Sequence, residues 1–184
     1  KSSITLLQNY DNLIPLENLD TLKIASLSIG ESGNSFQKML NNYSRVDSFS
    51  ISENASIKEQ ALILDKISSY NLVIVSVHKS NVNAWKDYKI SKNTDIFLQT
   101  IALQSKVVLT IFANPYSINS LLFTDNFDAM LLGYQNSKIA QETVAQSIFG
   151  GISINGTIPV STNHFNINSG IKTDSIRMSY SSIL

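Results

Sequence analysis

Four short, nearly uninterrupted aliphatic runs constrain this chain most. Residues 22–29 (LKIASLSI), 72–77 (LVIVSV), 106–112 (KVVLTIF) and 128–132 (DAMLL) are dense in Val, Ile and Leu. Such runs read as strands buried on both faces rather than on one. Val46–Ile51 alternates and reads as a further strand with one wetter face. Between these runs the apolar spacing lengthens to three and four, the period of a helix. Residues 35–43 place Phe36, Met39, Leu40 and Tyr43 on one face. Asn54 or Ser56 can cap the next helix, and Glu59 completes a capping box with Ser56. Its expected apolar stripe is Ile57, Ala61, Leu64 and Ile67. Residues 94–104 predict a helix with Ile96, Phe97, Ile101 and Leu103 inward. Pro115 after Asn114 opens another, because proline at the first helical position loses no hydrogen bond. Residues 137–149 predict a last helix, stopped by Gly150 and Gly151. The tail from Thr157 onward reads as extended segments and loops.

Strand and helix thus alternate about five times, the pattern of a sheet covered on both sides. The expected fold is α/β: one doubly wound, mostly parallel sheet of five to six strands with helices on both faces, a flavodoxin-like sandwich. Residues 1–184 read as a single domain without internal repeat or long linker. The hydrophobic share of 43% is enough for one sizeable core.

Composition removes several function classes. Net charge is zero, and a nucleic-acid partner needs a basic surface. Arg45 and Arg177 are the only arginines, which disfavours bidentate phosphate clamps. With no cysteine, disulfides, thiolate metal sites and Cys nucleophiles are excluded. Two histidines without cysteine make a metal site an unexpected feature, and no cofactor is expected. No run reaches the roughly 20 apolar residues of a membrane span. The chain starts at Lys1 without initiator Met or leader, so it is expected to be a piece of a larger protein.

In an open α/β sheet, ligands bind beyond the carboxyl ends of the strands. The candidate loops are therefore residues 30–34, 78–92, 114–116 and 133–137. Gly30-Glu31-Ser32-Gly33 lacks the third glycine of a dinucleotide fingerprint and the Gly-Lys-Ser/Thr of a P-loop, and Glu31 would repel phosphate. It reads as a plain strand-to-helix turn. Residues 78–92 form the longest and most polar loop, with His78, Lys79, Asn81, Asn83, Trp85 and Asp87 as substrate-proximal candidates. Asn114 joins them from the next strand end. Trp85 can stack on a sugar ring, or it can cover an apolar patch or an interdomain surface. His78 is a general base in principle, but no Gly-x-Ser-x-Gly elbow accompanies it, and a packed or exposed histidine is the plainer reading. His164 reads as an ordinary loop residue. A receiver domain would present acids at the end of the first strand, where this chain has Ile29 and Gly30.

Three segments resemble the C-terminal domain of family 3 glycoside hydrolases. Ser3-Ile4-Thr5-Leu6-Leu7-Gln8-Asn9 followed by Leu13-Ile14-Pro15-Leu16 looks like the family's S-I-x-L-L-K-N … L-P-L, with Gln8 in place of Lys. Residues 107–116, VVLTIFANPY, are similar to its strand and Asn-Pro turn. Residues 128–160 carry the most specific likeness: DAMLLGYQ, then Phe149-Gly150, then Asn155-Gly156-Thr157-Ile158-Pro159-Val160. Residues 34–70 match in pattern alone.

The resemblance implies a two-domain hydrolase whose catalytic (β/α)8 barrel, with the nucleophilic Asp, precedes Lys1. A barrel needs about 250 residues, so it lies outside these 184. The isolated chain is then expected to be inactive, an accessory domain of an exo-acting β-glycosidase. Its partners would be that barrel, in the same polypeptide, and a carbohydrate substrate. In the β-glucosidase branch the loop after the third strand donates the acid Glu. Here that loop has no Glu, and its only acid is Asp87. The N-acetylglucosaminidase branch carries a His-Asp pair on the barrel instead, so the resemblance points to a β-N-acetylglucosaminidase parent. Residues 170–180 resemble the junction before a β-lactamase-like domain in some bacterial members. Family members that act on cell-wall sugars are often exported, which implies a periplasmic or cell-envelope setting. A standalone module binding a carbohydrate or small ligand at the strand ends is the alternative.

Overall fold

The computed structural model describes residues 4–80 and 88–181. One six-stranded sheet is built from β1 (Thr5–Asn9), β2 (Ile24–Ile29), β3 (Val46–Ile51), β4 (Leu72–His78), β5 (Val107–Phe112) and β6 (Ala129–Leu132). Their order is β1-β6-β5-β4-β2-β3, and all neighbours are parallel except β1 on β6. Without β1 this is the flavodoxin-like strand order. The expected doubly wound sandwich is therefore present, with an antiparallel edge strand that the aliphatic runs did not reveal.

Every residue of β2, β4, β5 and β6 is buried. In edge strand β3, Val46 is buried and the positions after it alternate between half-buried and exposed, as its sequence does. Helices α1 (Ser35–Leu40) and α4 (Lys138–Ile148) cover one face, with Phe36, Leu40, Val144 and Ile148 packed on Ile24, Ile74 and Phe112. Helices α2 (Ile57–Ile67) and α3 (Lys92–Gln104) cover the other, joined by a short 3-10 helix, Pro115–Ser120. The predicted helix after Asn114 is thus a 3-10 turn, capped by the Asn114 side chain on the Tyr116 N–H.

Two predicted stripes are rotated. On α2 the buried face is Gln60, Ile63 and Ile67, while Ile57 and Ala61 are exposed. Counting apolar residues alone skips Gln60, which shares the sheetward face with Ile63 and Ile67. On α3, Phe97, Leu98 and Ile101 face the core, and Ile96 and Leu103 lie on the outer side. Those two are seven residues apart and so share a face, but not the inner one. The capping box of Ser56 and Glu59 forms as expected.

Helix α4 ends in a Schellman motif: Gly150, at φ 75°, bonds back to Ser147, and the Gly151 N–H reaches Gln146 O. The tail then folds back over the domain. Ile171 pairs with Leu6, capping the β1 edge, and Thr173 pairs with Ile154. Arg177 Nη1 donates to the carbonyls of Leu16 and Phe149. Gly156 passes so close to the Ile4 carbonyl that a Cβ there would sit 2.1 Å from its oxygen.

Gly30 leaves β2 at φ 96°, with a would-be Cβ 2.7 Å from the His78 carbonyl oxygen. Gly33, at φ 59°, has nothing within 4 Å of that position. Gly30→Ala is therefore expected to lose about 1–3 kcal/mol in urea denaturation, and Gly33→Ala clearly less, since only the first adds a clash to the strain.

Candidate site at the strand carboxyl ends

The chain leaves β2 for β3 on one side and returns to β4 on the other, so the crevice of a doubly wound sheet falls between the carboxyl ends of β2 and β4. In this protein its own side chains fill that crevice. His78, the last residue of β4, has a fully buried side chain stacked on Phe112 at 4.9 Å. Its Nδ1 lies 2.8 Å from Asn136 Oδ1, and its Nε2 lies 2.9 Å from Ser76 Oγ and 3.3 Å from Asn34 Nδ2. An amide oxygen only accepts, so Nδ1 carries the proton and Nε2 is the acceptor.

The network continues outward. Gln141 Nε2 also donates to Asn136 Oδ1, at 2.7 Å, and Asn136 Nδ2 donates to Glu31 Oε2, at 2.8 Å. Gln141 Oε1 accepts from the Phe36 N–H, tying α4 to the start of α1. Ser28 Oγ donates to the Glu31 carbonyl and accepts from Asn34 Nδ2. The turn at residues 30–33 is therefore the plain strand-to-helix turn expected, closed by side chains rather than open to a phosphate.

Burial holds the His78 imidazole below its ordinary pKa, against the opposing effects of the Asn136 hydrogen bond and the Glu31 carboxylate 3.6 Å from Nδ1. His78 is thus neutral near pH 7 and sealed from solvent. As a general base it has no route to a substrate in this conformation; it acts as the keystone of a polar plug.

The open space lies one strand further along. A cleft of about 500 Å³ at the ends of β4, β5 and β6 is lined by Lys79, Tyr88, Asn114, Tyr134 and Gln135, among others. Of the residues singled out from sequence, Lys79 and Asn114 meet here, while His78 lies beside it in the plug. Asn81, Asn83, Trp85 and Asp87 fall outside the described residues. Lys79 pairs with Glu53 at 2.6 Å, which holds its ammonium at the rim. Tyr134 sits at φ 62°, with the Gln135 N–H bonded to Gly133 O at 2.7 Å, a γ-turn of the rarer, strained kind. Its hydroxyl contacts Thr5 Oγ1 at 2.6 Å, and burial raises the pKa of the phenol.

Sequence reasoning named the loop of residues 133–137 but not Tyr134, Gln135 or Asn136 within it. It weighed Glu31 as a residue hostile to phosphate and as a lone acid beyond the first strand, and gave it no structural role. The available signal was the polar run Gly-Tyr-Gln-Asn-Ser directly after a buried strand. His164, read as ordinary, bonds through Nε2 to the Leu121 carbonyl at 2.7 Å. Among the described residues no cluster of three His, Cys, Asp or Glu is placed to hold a metal.

The architecture defines a class: a flavodoxin-like α/β sandwich with an added antiparallel edge strand and a plugged switch point. No family model matches the chain, and no curated protein matches it. Solved structures do. A fungal multi-domain glycoside hydrolase family 3 β-N-acetylglucosaminidase is 21% identical with a TM-score of 0.69, over 90% of this chain and 19% of its own. A family 3 β-N-acetylglucosaminidase from Paenibacillus sp. str. FPU-7 is 18% identical with a TM-score of 0.66, over 84% of this chain and 29% of its own. A β-glucosidase from Listeria innocua is 16% identical with a TM-score of 0.66, over 90% of this chain and 26% of its own. The chain thus spans 19% to 29% of the length of these enzymes. Its fold occurs as one part of family 3 glycosidases, the family that the sequence motifs resemble.

The state of His78 has a measurable consequence. Below its ordinary value of 6.5 the unfolded chain takes up a proton that the folded imidazole refuses, because its folded pKa is lowered. The unfolded state then binds more protons, so stability is full above that value and falls as pH drops from about 6.5 toward the depressed folded pKa. Thermal denaturation between pH 7 and 5 is expected to show a falling midpoint in the parent. The slope is expected to be shallower in His78→Gln, whose overall midpoint is lower, and an unchanged slope would count against the plug.

Proposed function

We propose that this chain is the C-terminal accessory domain of a family 3 glycoside hydrolase, without a catalytic residue of its own. It packs on a (β/α)8 barrel of the same polypeptide and shapes the opening through which a carbohydrate substrate reaches that barrel. The observation that carries this reading is the asymmetric coverage. The match takes in 90% of this chain but only 19% of the fungal enzyme and 26% of the Listeria one, which leaves the greater part of each to other domains. The motif order at residues 3–16, 107–116 and 128–160 supports it. So does Gly156, whose place in the Asn-Gly-Thr motif is required by its approach to Ile4.

Chain direction supports the placement of the cleft. Thr5 pairs with Leu132, the last residue of β6, so a domain preceding Lys1 is tethered at the carboxyl end of the parallel strands. That is the end where Lys79 and Asn114 line the cleft.

For the parent activity we favour exo-acting β-N-acetylglucosaminidase. The loop after β4 contains no Glu and only Asp87 as an acid, so it lacks the residue that a β-glucosidase arrangement would draw from it. A second reading, a sugar-binding module, is favoured by the cleft itself, where Tyr88, Tyr134 and Asn114 combine aromatic and amide groups. Calorimetric titration of residues 1–184 with amino sugars separates the two, since the accessory reading expects no binding heat.

Chromogenic β-N-acetylglucosaminide and β-glucoside should be turned over by the full polypeptide, the first in preference, and not by residues 1–184. In the full polypeptide Asp87→Ala is expected to leave kcat within a few-fold of the parent. Turnover by the isolated chain, or loss of activity in Asp87→Ala, would contradict this assignment.

A further inference from the structure

The outer face of α3 carries a second groove, separate from the cleft and the plug. Its floor is the buried Ile90 and Leu121, with Leu122 and Ile96 flanking it, and its volume is about 510 Å³. Leu122 is 67% exposed and Ile96 55%, so the apolar surface continues onto the rim. Large apolar side chains grouped in this way mark a surface that another element covers.

The structure indicates the chemistry of that element. Lys89 and Lys92 stand at the rim and make no ion pair among the described residues. The one acid in the groove, Asp95, is committed internally: Oδ1 accepts from Gln99 and Oδ2 from the Leu122 N–H. The occupant that complements this is apolar at its centre and acidic at its edge. Position points to its origin. The first turn of α3 and the 3-10 helix after β5 both follow strand carboxyl ends. The polypeptide before Ile4 joins the domain at that same end of the sheet.

We propose that this groove is the docking surface for an apolar, acid-bearing segment of the barrel of the same polypeptide, the lysines fixing its register. The inference rests on the accessory-domain reading and adds the face that is covered and the charge of what covers it.

Residues 1–184 contain no cysteine, so a thiol introduced here can be followed in the full polypeptide through the labelled peptide that carries it. Leu122→Cys and Leu103→Cys replace two exposed side chains, 67% and 79%, the second in the last turn of α3, at the other end of that helix from the groove. A covered thiol reacts only when the surface opens, so Leu122→Cys is expected to take up a maleimide at least about tenfold more slowly than Leu103→Cys. Adding Lys92→Glu should speed labelling at Leu122→Cys several-fold at low salt. Equal rates at the two sites overturn the docking. Slow labelling that Lys92→Glu leaves unchanged overturns the acidic occupant, and protection that fades on dilution assigns the groove to a second copy instead. Hydrolysis of a β-glycoside by the same sample keeps the two readings apart. An active polypeptide with equal labelling refutes the groove alone, and an inactive one with slow labelling refutes the glycosidase parent alone.

Discussion

Two-sided burial of the four central strands is the constraint on which the rest of the molecule depends. β2, β4, β5 and β6 have no exposed residue, so each face of the sheet must be roofed by helices, and parallel pairing requires crossovers long enough to supply them. Once helices cross over between parallel strands, the carboxyl ends of the strands gather the strand-to-helix loops at one edge, and the helix-to-strand loops fall at the other. Plug, cleft and the groove beside α3 lie toward the first edge for this reason, not because any local motif put them there.

The plug is a specific departure from what such sheets commonly do. At the switch point, where a flavodoxin-like fold leaves a crevice for a ligand, His78, Asn34, Asn136, Gln141 and Glu31 satisfy one another. Each buried polar group there has a partner, which keeps the cost of burying them small. The same network joins the end of β4, the turn after β2, the first turn of α1 and the loop before α4. Beside that junction the Tyr134 backbone, at φ 62°, is held by hydroxyl contacts to Thr5 and Thr157. Elsewhere satisfaction is less complete: Thr110 Oγ1, in the middle of β5, is buried without a hydrogen-bond partner.

The tail gives the edge strand its place. β1 would present an unpaired edge if Ile171 did not bond to Leu6, and Arg177 closes carbonyls left open by Leu16 and by the end of α4. These contacts link residues more than 150 apart in sequence for Leu6 and Ile171, and 161 apart for Leu16 and Arg177. An extended, polar tail offers no periodicity from which such pairings could be foreseen.

Much of the architecture was legible because it rests on local signals. Aliphatic runs fixed the buried strands, Ser56 with Glu59 fixed a helix start, and Gly150 with Gly151 fixed a helix stop, since each depends on residues within one turn of one another. Strand β1 escaped notice because Thr5 and Gln8 interrupt its run and its partner β6 lies over a hundred residues away. Helix faces were legible only as periods: whether Ile96 or Phe97 points inward depends on where the sheet lies, not on spacing. Among candidate residues, the sequence by itself determined that the strand-end loops hold the polar chemistry and named His78, Lys79 and Asn114. Only the tertiary structure decided that His78 is sealed in a plug while Lys79 and Asn114 face open space. That division has a simple cause: adjacent residues on a strand point to opposite faces, and which face is filled is set by helices arriving from elsewhere in the chain.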